Sequence, residues 1–249
     1  MSVTCAPSTF RPPADLAARY DRDGHALIEG VFTEAECRTL NDEAKAILAK
    51  HGGPGASIKV GAAVVSPLCR RLSDDERLIS ILRPLMPTGV MFLSDRVAFK
   101  SGSMRYATPW HIDVMYWPET RPKISLWIAL DDVAADDGAL CLVTGSHRED
   151  WSSQHAVTPG VNAGEFPFHI ADRQWPQERE VTCAVRKGSV IVFGDRLIHG
   201  TRPNRSGRDR YSLISTYHAP GADEGFDHDF PSRHVCWEPR SDVTPRPVG

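Results

Sequence analysis

No stretch of this chain approaches the roughly 18 consecutive apolar residues that a membrane-spanning helix needs, so a membrane partner is not expected. The N-terminus also lacks a basic segment followed by an apolar run, from which we expect a cytoplasmic protein without a secretory leader. Cysteine is sparse and scattered. Cys5, Cys37, Cys69, Cys141, Cys183 and Cys236 contain no C-x-x-C pair, and a chain of this length needs no disulfide framework, so they read as reduced thiols. Charge of one sign is lacking too. Lys and Arg number 29 against 32 Asp and Glu, and a net charge of −3 gives no broad attraction to nucleic-acid phosphates or anionic lipid. Internal repeats and low-complexity tracts are absent. What remains is ordinary globular usage: 249 residues, 41% hydrophobic and 24% charged, which suffices for one domain over residues 1–249 with a sizeable core.

Along the chain, helices come first and strands follow. Pro7, Pro12 and Pro13 mark residues 1–13 as a flexible leader. Ala14 to Tyr20 reads as a short helix stopped by Asp23-Gly24, and His25 to Val31 as a strand. Thr33 with Glu36 three residues on has the spacing of a capping box, announcing a helix that carries Leu40, Ala44, Ile47 and Leu48. Small and β-branched residues fill 58–65, and Asp74 to Leu85 reads as helical. Short β-rich runs then cover Val90 to Lys100, Ile124 to Asp131, Ala139 to Val143, Val181 to Val185, Ser189 to Phe193 and Tyr211 to Tyr217. Such an order implies a mainly β antiparallel sandwich or barrel with flanking helices. The 147–180 interval, with Trp151, Phe166, Phe168 and Trp175, is either a lid over a site or a packed surface loop. The tail after Ala219 shows no periodicity.

His111 and Asp113, two residues apart in Trp110-His111-Ile112-Asp113, project from one face of an extended strand and can share an ion. With one more His they make a facial triad that leaves open positions for an oxo acid and dioxygen, the arrangement that suits non-haem iron(II) oxygenases. Among ten histidines an accidental H-x-D is easy to find, and such pairs are often solvated or capping residues. His199, ending the run Gly194 to His199, is a candidate third ligand or a core histidine bonded to a carbonyl. Eleven residues later Arg210 begins a strand with Ser212. A buried guanidinium needs a partner, so Arg210 either forks onto the far carboxylate of a dicarboxylate with help from the Ser212 hydroxyl, or pairs with a surface acid.

These segments, in this order, resemble the phytanoyl-CoA dioxygenase (PhyH) family of iron(II)/2-oxoglutarate oxygenases over nearly the whole chain. Tyr20 to Ile28 with Phe32 to Cys37 is similar to the family's opening, and Trp110 to Asp113 with Tyr116 to its first ligand motif. Leu126 to Val133, Asp137 to Leu140 and Gly145-Ser146-His147 resemble its central strands and turn, and His199 to Ser206 ending at Arg210 its C-terminal motif. The resemblance implies a double-stranded β-helix, a cupin-like jelly roll. It assigns His111, Asp113 and His199 to iron(II), Arg210 to the 5-carboxylate of 2-oxoglutarate, and Thr201, Trp127 and Lys100 to the co-substrate pocket. Thr144 departs from the usual Pro before Gly-Ser-His, which touches only the turn. Halogenating relatives lack the metal carboxylate, so the retained Asp113 implies hydroxylation as the default outcome.

The implied reaction consumes dioxygen and 2-oxoglutarate and oxidises an unactivated C–H bond of a small or medium-sized organic molecule, with natural-product metabolism one setting. Desaturation, epimerisation or cyclisation would need only a different aim at that bond. Met104, Arg105, Tyr106, Met115, Tyr116 and Trp117 flank the first ligand motif, and Arg105 or Arg121, His169 or Trp175 either meet substrate or serve packing and solvation. Three other readings stay open: a cupin-like metal enzyme without 2-oxoglutarate, such as a simple dioxygenase or isomerase; a catalytically silent binding protein on the same scaffold; and a zinc hydrolase on the same ligands. Oligomeric state is not legible.

Overall fold

A computed structural model describes residues 10–53, 55–103, 107–116, 121–157, 166–221 and 230–239. Helix α1 (Leu16–Asp23) stops at Gly24, whose φ of +80° lets its N–H reach the Tyr20 carbonyl at 2.7 Å. A side chain there would strike His147 and Leu197, so the turn needs glycine twice over. Strand β1 (His25–Ile28) ends three residues short of the expected Val31, because the N–H groups of Val31 and Phe32 both turn to the Gly188 carbonyl. Helix α2 (Glu34–His51) begins with the expected capping box: Thr33 N donates to Glu36 Oε2 at 2.8 Å and Glu36 N donates to Thr33 Oγ1 at 3.3 Å. It buries Cys37, Leu40, Asn41, Ala44 and Ile47.

The 58–65 stretch divides into β2 (Ile58–Val60) and a single turn, α3 (Ala62–Val65), separated by Gly61 at φ +76°. A helix not read from the sequence, α4 (Pro67–Leu72), follows, capped by Ser66 and opened by Pro67; α5 (Glu76–Leu82) occupies the middle of the expected 74–85 helix. Next come β3 (Val90–Lys100), with the bounds read from the sequence, β4 (Lys123–Ala129) and β5 (Leu140–Val143). A small hairpin of β6 (His155–Val157) and β7 (Phe168–Ile170) precedes β8 (Glu180–Thr182), β9 (Val190–Gly194), β10 (His199–Thr201), β11 (Arg210–His218) and β12 (His234–Trp237).

The larger sheet runs β1-β9-β4-β11-β3-β12, with β2 also on β3; the smaller runs β10-β5-β8, and every pairing is antiparallel. From β4 onward the chain passes repeatedly from one sheet to the other, which winds it into a double-stranded β-helix. Helices α1 to α5 cover the outer face of the larger sheet through Leu40, Leu78, Ile81, Val97 and Leu126. Trp127, Leu140, Leu142, Ile191, Phe193 and Leu197 pack between the sheets. Period-two alternation decides what faces inward on β3: Val97 joins the helical core, while Arg96, Ala98 and Lys100 point between the sheets.

The described part of the 147–180 interval packs through Trp151, Ile170 and Trp175 onto Ile112, Val143 and Ile198. Residues 158–165 and 1–9 lie outside the described residues, and Phe10 packs on the helical core. The tail, unread in sequence, adds β12 to β3. Of the cysteines, Cys37, Cys69, Cys141, Cys183 and Cys236 are free thiols; Cys5 lies outside the described residues. No described helix is long and apolar enough to cross a membrane.

Candidate active site

His111 precedes the end of an extended segment that joins the smaller sheet. Its N–H and carbonyl exchange 2.9 Å hydrogen bonds with those of His199 on β10, which places the two rings side by side, centroids 4.1 Å apart. Ile112 is extended (φ −119°, ψ 139°) and Asp113 opens a 3-10 turn over Asp113–Met115, so the two-residue spacing sends His111 and Asp113 to one side although Asp113 is not itself in a strand. Nε2 of each histidine lies 3.7 Å from Asp113 Oδ1.

The other ring nitrogen of each histidine settles its tautomer. Nδ1 of His111 donates to the Pro109 carbonyl at 2.8 Å and Nδ1 of His199 to the Leu197 carbonyl at 2.9 Å, so both Nε2 lone pairs face the shared space. Burial pushes His111 down to about 3, helped by neighbouring His199, and lowers His199 as well. Burial alone would raise Asp113, but His199, Arg96 and His111 together hold it below the usual carboxylate range. Asp113 Oδ2 is buried with no hydrogen-bond partner. A buried acceptor of this kind is costly unless something else satisfies it, and two imidazole nitrogens and a carboxylate converging on one point fit a first-row transition metal. Among the described residues one other group can offer three ligand atoms, Asp74, His234 and Cys236; Asp74 is exposed and the Arg70 guanidinium already rests against His234.

From the triad a cavity runs between the sheets to Arg210, walled by Trp127, Leu140, Phe193, Thr201 and Lys100 among others. Arg210 is 2% exposed and sits opposite Lys100 across the β11–β3 pairing. Its Nη1 donates to Ser212 Oγ at 3.1 Å and Nη2 to the Gly138 carbonyl, while its face covers Trp127 at 5.3 Å. No described carboxylate forms an ion pair with it, and Nε has no partner at all. Burial brings this guanidinium down to about 10 against the pull of Asp131 and Asp137. Such a group calls for an anion. Ser212 passes its own proton toward the Ala98 carbonyl, and Thr201 Oγ1 accepts the Thr108 N–H at 3.0 Å, fixing that wall.

All eight residues singled out in the sequence therefore meet in one place: His111, Asp113 and His199 at one end, Arg210, Ser212 and Lys100 at the other, Thr201 and Trp127 between. Sequence reasoning missed Arg96, whose Nη2 lies 3.7 Å from Asp113 Oδ2, and singled out Phe166 only as part of the 147–180 interval, although its ring is 5.0 Å from that of His111. Arg96 was findable, since it shares a strand face with Lys100 at an even spacing. Met104, Arg105, Tyr106 and Trp117 lie outside the described residues. Trp175 packs between Trp110 and Trp151 and donates to Glu180, away from the cavity. Neither Arg121 nor His169 lines it.

Comparison with known proteins agrees with this geometry. L-proline trans-4-hydroxylase of Streptomyces griseoviridis is 23% identical over 84% of this chain and 88% of its own length. Ectoine dioxygenase of Bordetella bronchiseptica is 27% identical over 83% of this chain and 75% of its own. In fold, the chain is similar to the epimerase SnoN, solved in complex with Fe3+, alpha ketoglutarate and nogalamycin RO, with a TM-score of 0.67, 24% identity and 82% of each chain covered. The profile of the family described as Phytanoyl-CoA dioxygenase (PhyH) matches residues 20–212. With that much of its 249 residues inside the match, the chain belongs to the phytanoyl-CoA dioxygenase family.

Proposed function

We propose that this chain is an iron(II)- and 2-oxoglutarate-dependent dioxygenase that hydroxylates an unactivated C–H bond of a small or medium-sized organic molecule. One observation carries the reading: a metal-competent triad and a buried arginine without an acidic partner face each other through a single cavity. When bound there, iron(II) with 2-oxoglutarate supplies the oxidising chemistry, consuming dioxygen and releasing succinate and carbon dioxide.

The protein's own part is to hold and to exclude. His111, Asp113 and His199 present three donors from one side, leaving the opposite side to ligands. Arg210 forks onto the far carboxylate of the dicarboxylate, with Ser212 beside it and Lys100 adding charge. Trp127 under the guanidinium keeps its plane fixed, and Thr201 with Leu140 shapes the wall between the two ends. Phe193 and Phe166 lie against His199 and His111, keeping water from the ligand nitrogens. The position of Phe166 also supports a lid role for its part of the 147–180 interval. Retained Asp113 fills the place a halide would need, which favours hydroxylation.

Anaerobic protein loaded with iron(II) should develop a visible charge-transfer band on adding 2-oxoglutarate and release succinate once air and a substrate are admitted. No band with the wild-type protein would overturn the reading. An Arg210→Ala variant with unchanged succinate release would replace it by a metal enzyme that does not use 2-oxoglutarate.

A further inference from the structure

Arg96 stands where the inner cavity meets a second one beyond the triad, lined by Val60, Ser94, Tyr116, Phe166 and Phe230 among others. Its side chain is 23% exposed, enough to be reached and too little to be solvated freely. Among the described residues its one ion-pair partner is Asp113, at 3.7 Å, a separation too long for a hydrogen bond, and Asp113 Oδ2 indeed has none. The guanidinium thus brings a fork of N–H donors to the cavity with none committed to a described acceptor.

The charges of the surroundings point the same way. Among the described residues, Arg96, Lys100 and Arg210 line the inner cavity, and on the acidic side the two cavities offer Asp113 and Asp95. Asp95 Oδ1 already accepts the Ala63 N–H at 2.9 Å, on the side of β3 that packs against α3. A metal dication and a dianionic oxo acid cancel, which leaves positive charge in excess on the described lining around the ligand that arrives last. Aromatic rings and Val60 around Arg96 suit an apolar body behind an anionic group.

Resting on the dioxygenase reading above, we propose that Arg96 is a specificity-determining residue, and that the substrate is a carboxylic acid with an apolar or aromatic body. Its carboxylate pairs with the Arg96 fork while the body lies along Phe166 and Tyr116, bringing a C–H bond to the open side of the triad. Guanidinium matches a carboxylate in two parallel hydrogen bonds and has no such match to a neutral amide.

The test uses the iron(II)- and 2-oxoglutarate-loaded protein without oxygen and reads the change in its visible band on titration with 3-phenylpropionate, cyclohexanecarboxylate and their primary amides. We expect at least one acid to perturb the band and to bind about tenfold or more tightly than its amide. In Arg96→Gln the acid should lose that advantage, with acid and amide within about twofold, while the affinity for 2-oxoglutarate moves less than about threefold. Arg96→Lys should recover part of the preference, and thermal melts of both variants report their folding. The proposal fails if neither acid perturbs the wild-type band, if acids and amides bind alike, or if Arg96→Gln weakens 2-oxoglutarate itself tenfold, which would give Arg96 to the co-substrate. Absence of any 2-oxoglutarate band in the wild type would instead remove the underlying dioxygenase reading.

Discussion

The two ends of the cavity are built differently. The inner end, around Arg210, Ser212 and Lys100, stands on two long neighbouring strands, and its guanidinium is fixed by a side-chain hydroxyl, a backbone carbonyl and an indole face. The outer end, around Arg96, Tyr116 and Phe166, borrows side chains from a strand, the end of a 3-10 turn and the stretch leading into β7. On the proposed reading, a co-substrate common to many reactions would be matched by the regular part of the fold. The partner that varies from enzyme to enzyme would be met by the irregular part, where sequence can change at little cost to the sheets.

Four measurements would break or sharpen that contrast. The largest effect belongs to the junction of the two ends. Asp113→Ala should abolish metal binding and turnover, a loss beyond the roughly 10–100-fold that removing a supporting hydrogen bond costs a metal site; metal content after dialysis and succinate release check it. At the outer end, burial raises the Asp95 carboxyl to about 6. Between its ordinary value and about 6 the folded protein binds more protons there than the unfolded chain, so this contribution to stability is present at low pH and lost as pH rises through that window. Asp95→Asn cannot titrate and keeps an oxygen for the Ala63 N–H. Relative to wild type it should gain up to about 3 kcal/mol between pH 4 and pH 7, measured by urea unfolding at both.

Next in size is the inner end. Arg210→Ala should weaken 2-oxoglutarate by about 1.5–3 kcal/mol, on the order of 10–100-fold, and leave metal content unchanged. Equal loss of metal would mean that the two ends are not separable. The smallest effect on the co-substrate is expected from Phe166→Ala: less than about twofold in 2-oxoglutarate affinity, since that ring packs on His111 at the outer side, with a visible-band change confined to substrate titrations.

Much of the fold was legible because it rests on local rules. The Thr33–Glu36 capping box, the Gly24 stop and the eleven-residue β3 follow from side-chain chemistry within a few positions. The elements that escaped are short ones held by tertiary packing. Helix α4 has six residues, too few to form alone, and relies on its Ser66 cap and the burial of Cys69 and Leu72. Strands β6, β7 and β12 have three or four residues and are defined by their partners rather than by period. At the site, His111 and Asp113 were readable from spacing even though Asp113 turned out to open a 3-10 turn. His199 was not readable alone, because its carbonyl-bonded Nδ1 is what either a core histidine or a ligand would show; the buried Asp113 carboxylate, with Oδ1 3.7 Å from Nε2 and Oδ2 without a hydrogen-bond partner, favours the ligand. Thr201, Trp127 and Lys100 rested on family likeness, since Lys100 and Trp127 come to Arg210 only through the pairing of β11 with β3 and β4, and Thr201 faces the same cavity from β10 of the smaller sheet.

Each ligand histidine is steadied by the carbonyl of the residue two places before it, Pro109 for His111 and Leu197 for His199. The supporting layer of this centre is thus written in main chain. The bond to each ring is made by a main-chain oxygen, whatever side chain stands at 109 or 197, so a shift of the local backbone would disturb the imidazole it holds. Substitution scans that look for essential side chains will pass over this layer, and it will show itself only to perturbations of backbone geometry, such as an insertion between Pro109 and His111.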